Sequence, residues 1–148
     1  MDQRIRVILR VIEERKGLTT LVPNVTGKLL GLTEAHFLRL FHRHVGITLR
    51  RYLRQVRMNR AVELLKTPTL SIKGIAFNCG YNDISNFYRD FKQVNGITPR
   101  QARFASLLVQ SGAEQSAATP ALLQLLLPLA APVENSTGNP VPTINNRY

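Results

Sequence analysis

The chain has 148 residues, enough for one domain with a modest core, and 20 basic residues against 9 acidic ones give it a net charge of +11. Its single cysteine, Cys79, excludes an intramolecular disulfide. No apolar run reaches the ~20 residues that a membrane-spanning helix needs, and the charged, amphipathic N-terminus is unlike a secretory signal. We therefore expect a cytoplasmic protein.

The positive charge is concentrated in the first part of the chain. Residues 1–104 hold 19 of the basic residues and only 7 of the acidic ones. Such a distribution suits a polyanionic partner. A generally basic protein with no such partner would have the same charge, so the charge alone does not separate the two.

The first 17 residues predict an amphipathic helix that begins at Asp2 and ends at Gly17. Its apolar residues follow helical spacing, and they are Ile5, Ile8, Leu9 and Ile12. The basic residues on its other face are those of an ordinary solvated helix.

A second helix is predicted from about residue 23 to residue 30, with a turn at Gly31. Pro23 suits the first turn of a helix. Gly27 lies at the centre, where glycine costs ~1 kcal/mol relative to alanine. We therefore expect this helix to be the least stable of the domain.

The third predicted helix lies between a capping residue, Thr33, and a terminating glycine, Gly46. Its buried stripe consists of Phe37, Leu40, Phe41 and Val45. The remaining side chains are expected to face away from the core.

A long helix from about residue 48 to residue 66, capped by Thr48, follows. From Arg39 to Arg60 the chain has seven arginines and no acidic residue. Arg50, Arg54 and Arg57 follow helical spacing, so they form a stripe of one sign. Because a solvated helix face normally mixes charges, the stripe favours a surface that faces phosphates.

Residues 71–103 have the pattern of a helix-turn-helix motif followed by another, shorter helix. Ser71 caps the first helix, and Ile72, Ile75 and Ala76 share one of its faces. Gly80 makes the turn. The next helix begins after the cap Asp83 and buries Phe87, Phe91 and Val94. Gly96 ends it, and Thr98 with Pro99 begins the last helix.

After residue 104 the composition changes to Ala, Leu, Ser, Thr, Asn and Pro. Five prolines, at positions 120, 128, 132, 140 and 142, prevent a long helix. We expect residues 105–148 to form a low-complexity, flexible tail. The apolar run 121–131 leaves open a short amphipathic docking helix.

The chain contains an internal repeat at a shift of 50 residues. Residues 33–50 and 83–100 are identical at seven of 18 positions. The identities include two core aromatics, an outward arginine (Arg39 and Arg89) and a Gly-Ile-Thr turn and cap. In the preceding helices the shift is 49, which pairs Gly31 with Gly80. Two helix-turn-helix units are therefore predicted, joined by the arginine-rich helix.

With both units in view, residues 2–104 resemble the DNA-binding domain of bacterial AraC/XylS-family transcription regulators. The matching residues are Ser71, Ile72, Ile75, Ala76, Cys79, Gly80, Tyr81, Phe87, Arg89, Phe91, Lys92, Gly96, Ile97, Thr98, Pro99 and Arg103, with Arg57, Met58, Ala61, Leu64 and Leu65 in the linker helix. Thr26 and Gly27 replace the family's usual apolar-alanine pair, which lowers the expected stability of the first unit.

The resemblance implies an all-α fold of about seven helices in two helix-turn-helix subdomains, about 2–47 and 71–104, joined by a linker helix at about 48–66. It further implies an activator of transcription that places two recognition helices in successive major grooves of DNA. RNA polymerase is then a further expected partner. One chain is expected to bind an asymmetric site as a monomer. We expect the second unit to be the better formed, and its loss to cost more binding.

By position, the resemblance places eight side chains outward on the two recognition helices. Those of the first helix are Ala35, His36, Leu38 and Arg39; those of the second are Ile84, Ser85, Tyr88 and Arg89. Arg39 and Arg89 are the best base readers, because arginine binds guanine with two hydrogen bonds. A phosphate contact or an intramolecular pair is the alternative for both. For Tyr88 the alternative is packing at the rim.

The residues that we expect to bind phosphates are Arg43, Thr48, Arg50, Arg54, Lys92 and Thr98. We expect no metal site, because His42 and His44 point in different directions on one helix. No nucleophile–base set, carboxylate pair or phosphate-binding glycine loop occurs, so we expect no enzyme and no cofactor.

Two other functions remain open. One is a non-specific or architectural nucleic-acid binder, and the other is a protein-interaction module that modulates a related regulator. Family members usually carry a sensing domain before this one, while the first helix here begins at Asp2. We therefore expect either a stand-alone member or a piece of a longer regulator.

Overall fold

The structure, a computed structural model, describes residues 1–17 and 21–112, and seven α-helices make up this part of the chain. They are α1 (Gln3–Glu14), α2 (Pro23–Leu29), α3 (Glu34–Val45), α4 (Leu49–Leu65), α5 (Ile72–Asn78), α6 (Ile84–Asn95) and α7 (Pro99–Gln110). The all-α prediction is confirmed. None of these helices is long and apolar enough to cross a bilayer.

The described residues divide into two units, Met1–Val56 and residues 57–112. The division falls within α4, whose two halves belong to different units. Residues 113–148 lie outside the described part, and with them the predicted tail beyond α7 and its apolar run 121–131.

The first unit is held together by a core of side chains from α1, α3 and the first half of α4. Its fully buried members include Ile5, Leu9, Ile12, Phe37 and Phe41. Phe41 meets Phe37 and Tyr52 edge to face, with ring centroids 6.4 and 5.8 Å apart. Such edge-to-face contacts stabilise the core beyond what the burial of the rings alone contributes. Burial also raises the pKa of Tyr52 to about 12.

The second unit has its own core, built from the second half of α4 and from α5, α6 and α7. Its fully buried members include Met58, Leu65, Ile75, Phe87 and Phe91. Cys79 lies among them, as expected for a small apolar residue under the turn. Burial raises the pKa of its thiol to about 11, against the opposing effect of Arg60 and Arg57.

The two units repeat each other residue by residue. The bounds of α3 and α6 differ by 50, and those of α2 and α5 differ by 49. Gly46 and Gly96 both end their helices in the left-handed region, with φ of 84° and 77°. At the turns, the Leu32 amide donates to the Gly27 carbonyl at 2.8 Å, and the Tyr81 amide donates to the Ala76 carbonyl at 3.0 Å. The predicted repeat is thus a repeat of structure.

The repeat also includes α1, which the sequence comparison did not find. Ile5, Ile8 and Ile12 are buried on α1, and the residues 53 positions later, Met58, Ala61 and Leu65, are buried on α4. Both helices therefore present an apolar stripe of the same spacing to their units. Helix α4 contributes to both cores: its first half packs in the core of the first unit, and its second half packs in the core of the second.

Helix α7 continues past residue 104, where we set the end of the domain. It ends at Gln110, and Ala105 is buried in the second unit. The Gln110 side chain donates to the Lys66 carbonyl at 3.0 Å. Residues 105–110, which we assigned to the tail, are therefore helical.

The turn after α2 comes so close to residue 27 that only glycine, which has no Cβ atom, fits there without a shift of the backbone. A Cβ atom at this position would lie 3.0 Å from the Leu32 carbonyl oxygen and 3.3 Å from the carbonyl carbon of Thr33. Both are backbone atoms, which cannot rotate away. At the matching position of the second unit, Ala76 carries a Cβ, and there the turn is one residue longer. The departure from the family pattern at Gly27 therefore accompanies the tighter turn.

We expect Gly27→Ala to lower the free energy of unfolding of the first unit by about 1 kcal/mol, because the clash outweighs the helix propensity that alanine adds. The measurement is chemical denaturation of the full chain. Gly74→Ala on α5 is the matched control, because its Cβ would meet only a side-chain atom, the Ser71 hydroxyl oxygen at 3.1 Å. A shift of this hydroxyl by a few tenths of an ångström relieves the contact and keeps its hydrogen bond to the Gly74 amide. A Gly27→Ala variant that is as stable as the wild type or more so would contradict this account.

Asn95 is a buried polar residue at the end of α6, 7% exposed, and its side-chain amide nitrogen has no hydrogen-bond partner. The matching residue of the first unit is Val45, also buried. An unsatisfied buried donor costs about 1–3 kcal/mol. The first unit thus has an apolar residue, Val45, at the position where the second unit has Asn95.

We expect Asn95→Val to raise the free energy of unfolding by about 1 kcal/mol, since it removes an unpaired donor and keeps most of the volume. Thermal and denaturant unfolding would measure this. The reciprocal variant, Val45→Asn, should destabilise the first unit. If Asn95→Val is destabilising, Asn95 has a partner that the structure does not reveal.

Candidate nucleic-acid interface

Helix α3 has a capping residue at each end, and its buried residues decide which of its faces is exposed. The Thr33 hydroxyl accepts a hydrogen bond from the His36 amide at 3.3 Å, and Gly46 ends the helix. Because Phe37, Leu40, Phe41 and Val45 are buried, the opposite face points to solvent. Ala35, His36 and Arg39 are exposed there, as predicted from the sequence.

A shallow cleft of about 250 Å³ lies on this outer face of α3. Its lining residues are His36, Arg39, Leu40 and Arg43, which are spaced at one helical turn. Within the residues that the structure describes, Arg39 has no ion pair. Its guanidinium is therefore available to a ligand outside the chain.

Leu38 differs from the other outward candidates of α3. It is half-buried and packs against the first core. Only part of its side chain is therefore available to a thymine methyl group.

Helix α6 is capped by Asp83, whose carboxylate accepts hydrogen bonds from the amides of Ser85 at 2.7 Å and Asn86 at 3.0 Å. Ile84 and Ser85 are exposed in the first turn. Tyr88 is half-buried, and its ring meets that of Phe87 edge to face at 6.2 Å. Tyr88 therefore packs at the rim of the second core and leaves only part of its ring exposed.

Arg89 occupies on α6 the place that Arg39 has on α3. Its side chain is 69% exposed, and its Nε lies 3.7 Å from the carboxylate of Asp90. That carboxylate is mostly buried and accepts a hydrogen bond from the Tyr81 hydroxyl at 2.9 Å. The long contact leaves the outer edge of the guanidinium free to bind a base or a phosphate.

Two threonines stand at the starts of α4 and α7. The Thr48 hydroxyl accepts from the Arg51 amide at 3.3 Å, and the Thr98 hydroxyl accepts from the Gln101 amide at 3.2 Å. The Thr98 amide in turn donates to the Gln101 side-chain oxygen at 3.0 Å, which completes a capping box. Each hydroxyl oxygen accepts in this way and keeps its own hydrogen to donate to a phosphate.

The basic candidates differ in exposure. Arg43, Arg50 and Lys92 are exposed, while Arg54 is half-buried. The predicted stripe of Arg50, Arg54 and Arg57 is correspondingly not one fully exposed face, because Arg57 is half-buried too. Arg60, further along α4, is also half-buried. Arg57 and Arg60 oppose the rise in the pKa of the buried Cys79 thiol, so both lie near the core of the second unit. Helical spacing alone does not distinguish an arginine that packs on its own protein from one that faces solvent.

Two exposed residues escaped the sequence reasoning although the repeat points to them. Asn86 is the counterpart of His36, and Arg100 is the counterpart of Arg50. Asparagine can bind adenine with two hydrogen bonds. A strict application of the 50-residue shift would have named both.

The histidines of α3 do not gather with other ligands. His42 is exposed and His44 is half-buried. Among the described residues no group of three or more His, Cys, Asp and Glu side chains could hold a metal ion.

Two cores that each expose an arginine-bearing helix after a tight turn define a tandem helix-turn-helix DNA-binding domain. Comparison with known proteins leads to the same class. A family model described as a helix-turn-helix domain matches residues 27–104, which is more than half of the chain. The chain belongs to the AraC/XylS family of transcription regulators, whose helix-turn-helix DNA-binding domain it carries.

Several relatives illustrate the match. The Msm operon regulatory protein of Streptococcus mutans is 29% identical over 96 residues, which are 65% of this chain and 34% of that protein. The transcriptional activator RhaR of Cronobacter sakazakii is 38% identical over 69 residues, 47% of this chain and 24% of that protein. The chain thus spans a quarter to a third of the length of these relatives.

A solved structure has the same fold. The C-terminal domain of AraT, a response regulator from Geobacillus stearothermophilus, superimposes with a TM-score of 0.63 at 26% identity. The match covers 69% of this chain and 84% of that one. The matched proteins are transcription regulators and not enzymes.

Proposed function

We propose that the chain is a sequence-specific transcription regulator that reads two adjacent major grooves of DNA with α3 and α6. The observation that carries this proposal is the repetition of an exposed arginine, Arg39 and Arg89, at the same position of two equivalent helices. In a helix-turn-helix motif, the second helix enters the major groove and its N-terminal residues contact base edges. A single chain then has two reading helices and needs no dimer.

The base-reading set is proposed to differ between the two helices. On α3, Ala35, His36 and Arg39 are exposed, and His36 and Arg39 line the cleft. Leu38 is half-buried and exposes only part of its side chain. On α6, Ile84, Ser85 and Arg89 are exposed, with the edge of Tyr88. Because apolar side chains contact thymine methyl groups and arginine reads guanine, the two helices should select different sequences. The site should therefore be asymmetric.

Phosphate contacts are proposed to set the position of each helix on the duplex. Arg43 and Lys92 lie in the last turns of α3 and α6, and Arg50 lies near the start of α4. The hydroxyls of Thr48 and Thr98 can each donate one hydrogen bond, and half-buried Arg54 adds charge. Such contacts give affinity and orientation without reading sequence.

Activation is the regulatory direction that the relatives favour. The RhaR and RhaS proteins are named transcriptional activators. We propose that this chain also activates transcription, with RNA polymerase as its second partner.

The direct test is selection of binding sites from random duplexes by the full chain, by Arg39→Ala and by Arg89→Ala. The wild type should return one asymmetric motif of two blocks about one helical turn (~34 Å) apart. Each substitution should relax a different block and cost about 1–3 kcal/mol on the wild-type site, because a bidentate contact to guanine is lost.

Arg10→Ala is the control, since Arg10 is exposed on α1 and its loss removes the same charge from the first unit. It should leave the motif unchanged. A non-specific binder would instead return no motif, and both arginine variants would weaken all sequences equally, each lowering the salt slope by about one. Binding to a partner protein with no DNA shift would indicate an interaction module.

A further inference from the structure

Helix α7 carries apolar side chains that no core covers. Phe104 is 61% exposed and Leu107 is 37% exposed, one turn apart on the same face. Leu108 and Val109 beside them are half-buried. The buried residues of α7 are small ones, Pro99, Ala102 and Ala105, and Ala102 belongs to the core of the second unit. The exposed face therefore does not belong to the core that the helix completes.

The repeat shows that this face is not required by the helix-turn-helix unit. With the shift of 50 that relates α3 to α6, Phe104 matches Arg54 and Leu107 matches Arg57. Helix α4, which follows the first helix-turn-helix motif, thus has charged residues where α7 has a phenylalanine and a leucine. Exposed apolar side chains at these two positions are a property of α7 alone, and they need another explanation.

The chain that leaves α7 supplies a matching apolar segment. Gly112, with φ of 69°, follows the end of the helix. Eight residues, 113–120, separate it from the run 121–131, ALLQLLLPLAA, which holds six leucines and no charged residue. Eight extended residues reach about 27 Å, and a 12-residue helix is about 18 Å long. The segment can therefore return to any part of α7.

We propose that residues 121–131 fold back onto the exposed face of α7, around Phe104 and Leu107 of the same chain. Residues 121–131 carry no charge, and the face is centred on Phe104 and Leu107, with Arg100 and Arg103 each one turn away at its edge. The association therefore removes apolar surface from water without drawing either guanidinium group further from solvent. The short connection keeps the segment at an effective concentration in the millimolar range, which favours it over a second copy of the chain. The second unit then ends in an additional apolar layer that the first unit lacks.

The chain offers a matched pair of probes for this contact. Of its six phenylalanines, four are fully buried in the two cores, and Phe77 and Phe104 are both about half exposed or more, at 51% and 61%. The full chain labelled with 4-fluorophenylalanine should give six fluorine resonances. Phe77→Leu and Phe104→Leu each remove one resonance and so identify the two exposed rings.

Leu123→Ser combined with Leu126→Ser should shift the Phe104 resonance and increase its sensitivity to a change from H₂O to D₂O, because the ring loses its cover. The Phe77 resonance should not move, and the four buried resonances report that both cores remain folded. An unchanged Phe104 resonance would overturn the proposal. A Phe104 resonance that shifts on dilution of the wild type would also overturn it, because a second copy would then cover the face.

Discussion

The direction in which each recognition helix faces depends on how closely the turn can approach the helix before it. In both units a small residue, Gly27 or Ala76, lies where the turn folds back, and its carbonyl accepts a hydrogen bond from the residue after the turn glycine. This contact fixes the start of α3 and of α6 against the preceding helix. The buried stripe of each helix then faces its core, and the arginine on the opposite side is exposed. A larger side chain at Gly27 would push against backbone atoms.

Most of the fold could be predicted from the sequence because its signals are local. Caps at Thr33, Ser71, Asp83 and Thr98 accept hydrogen bonds from the first turns of their helices, as their residue types indicate. The shifts of 49 and 50 residues agree with the helix bounds to the residue. What the sequence missed was the equivalence of α1 with the second half of α4. That equivalence lies in the spacing of the buried residues, and at the shift of 53 only one pair within α1, Arg4 and Arg57, is identical.

The candidate site was predictable in position and less so in exposure. Arg39 and Arg89 are exposed, but Leu38 and Tyr88 pack against their cores. Arg57 and Arg60 are half-buried. Helical periodicity gives the direction of a side chain to within about a quarter of a turn. Helical periodicity does not tell how much of that side chain is covered by neighbouring parts of the chain. The half-buried residues lie at the edges of the apolar stripe, where the amount of covering by neighbouring residues decides whether a side chain is exposed.

The two units differ in how many of their buried polar side-chain atoms have hydrogen-bond partners. In the part of the chain that the structure describes, the three buried side-chain nitrogens without a partner belong to Arg60, Asn95 and Arg103, all in the second unit. Arg89 has an acidic neighbour, Asp90, where Arg39 is followed by Leu40. These features weigh against our expectation that the second unit is the better formed. That the loss of the second unit costs more binding stays a prediction.

The central proposal is that one chain binds two blocks of DNA sequence, one through α3 and one through α6. The most direct measurement is the affinity of the full chain for its selected site before and after five base pairs are inserted between the blocks. Half a helical turn moves one block to the other side of the duplex, so the affinity should fall on the order of 10²-fold. The same insertion outside the blocks should have no effect. An unchanged affinity after insertion between them would contradict the account.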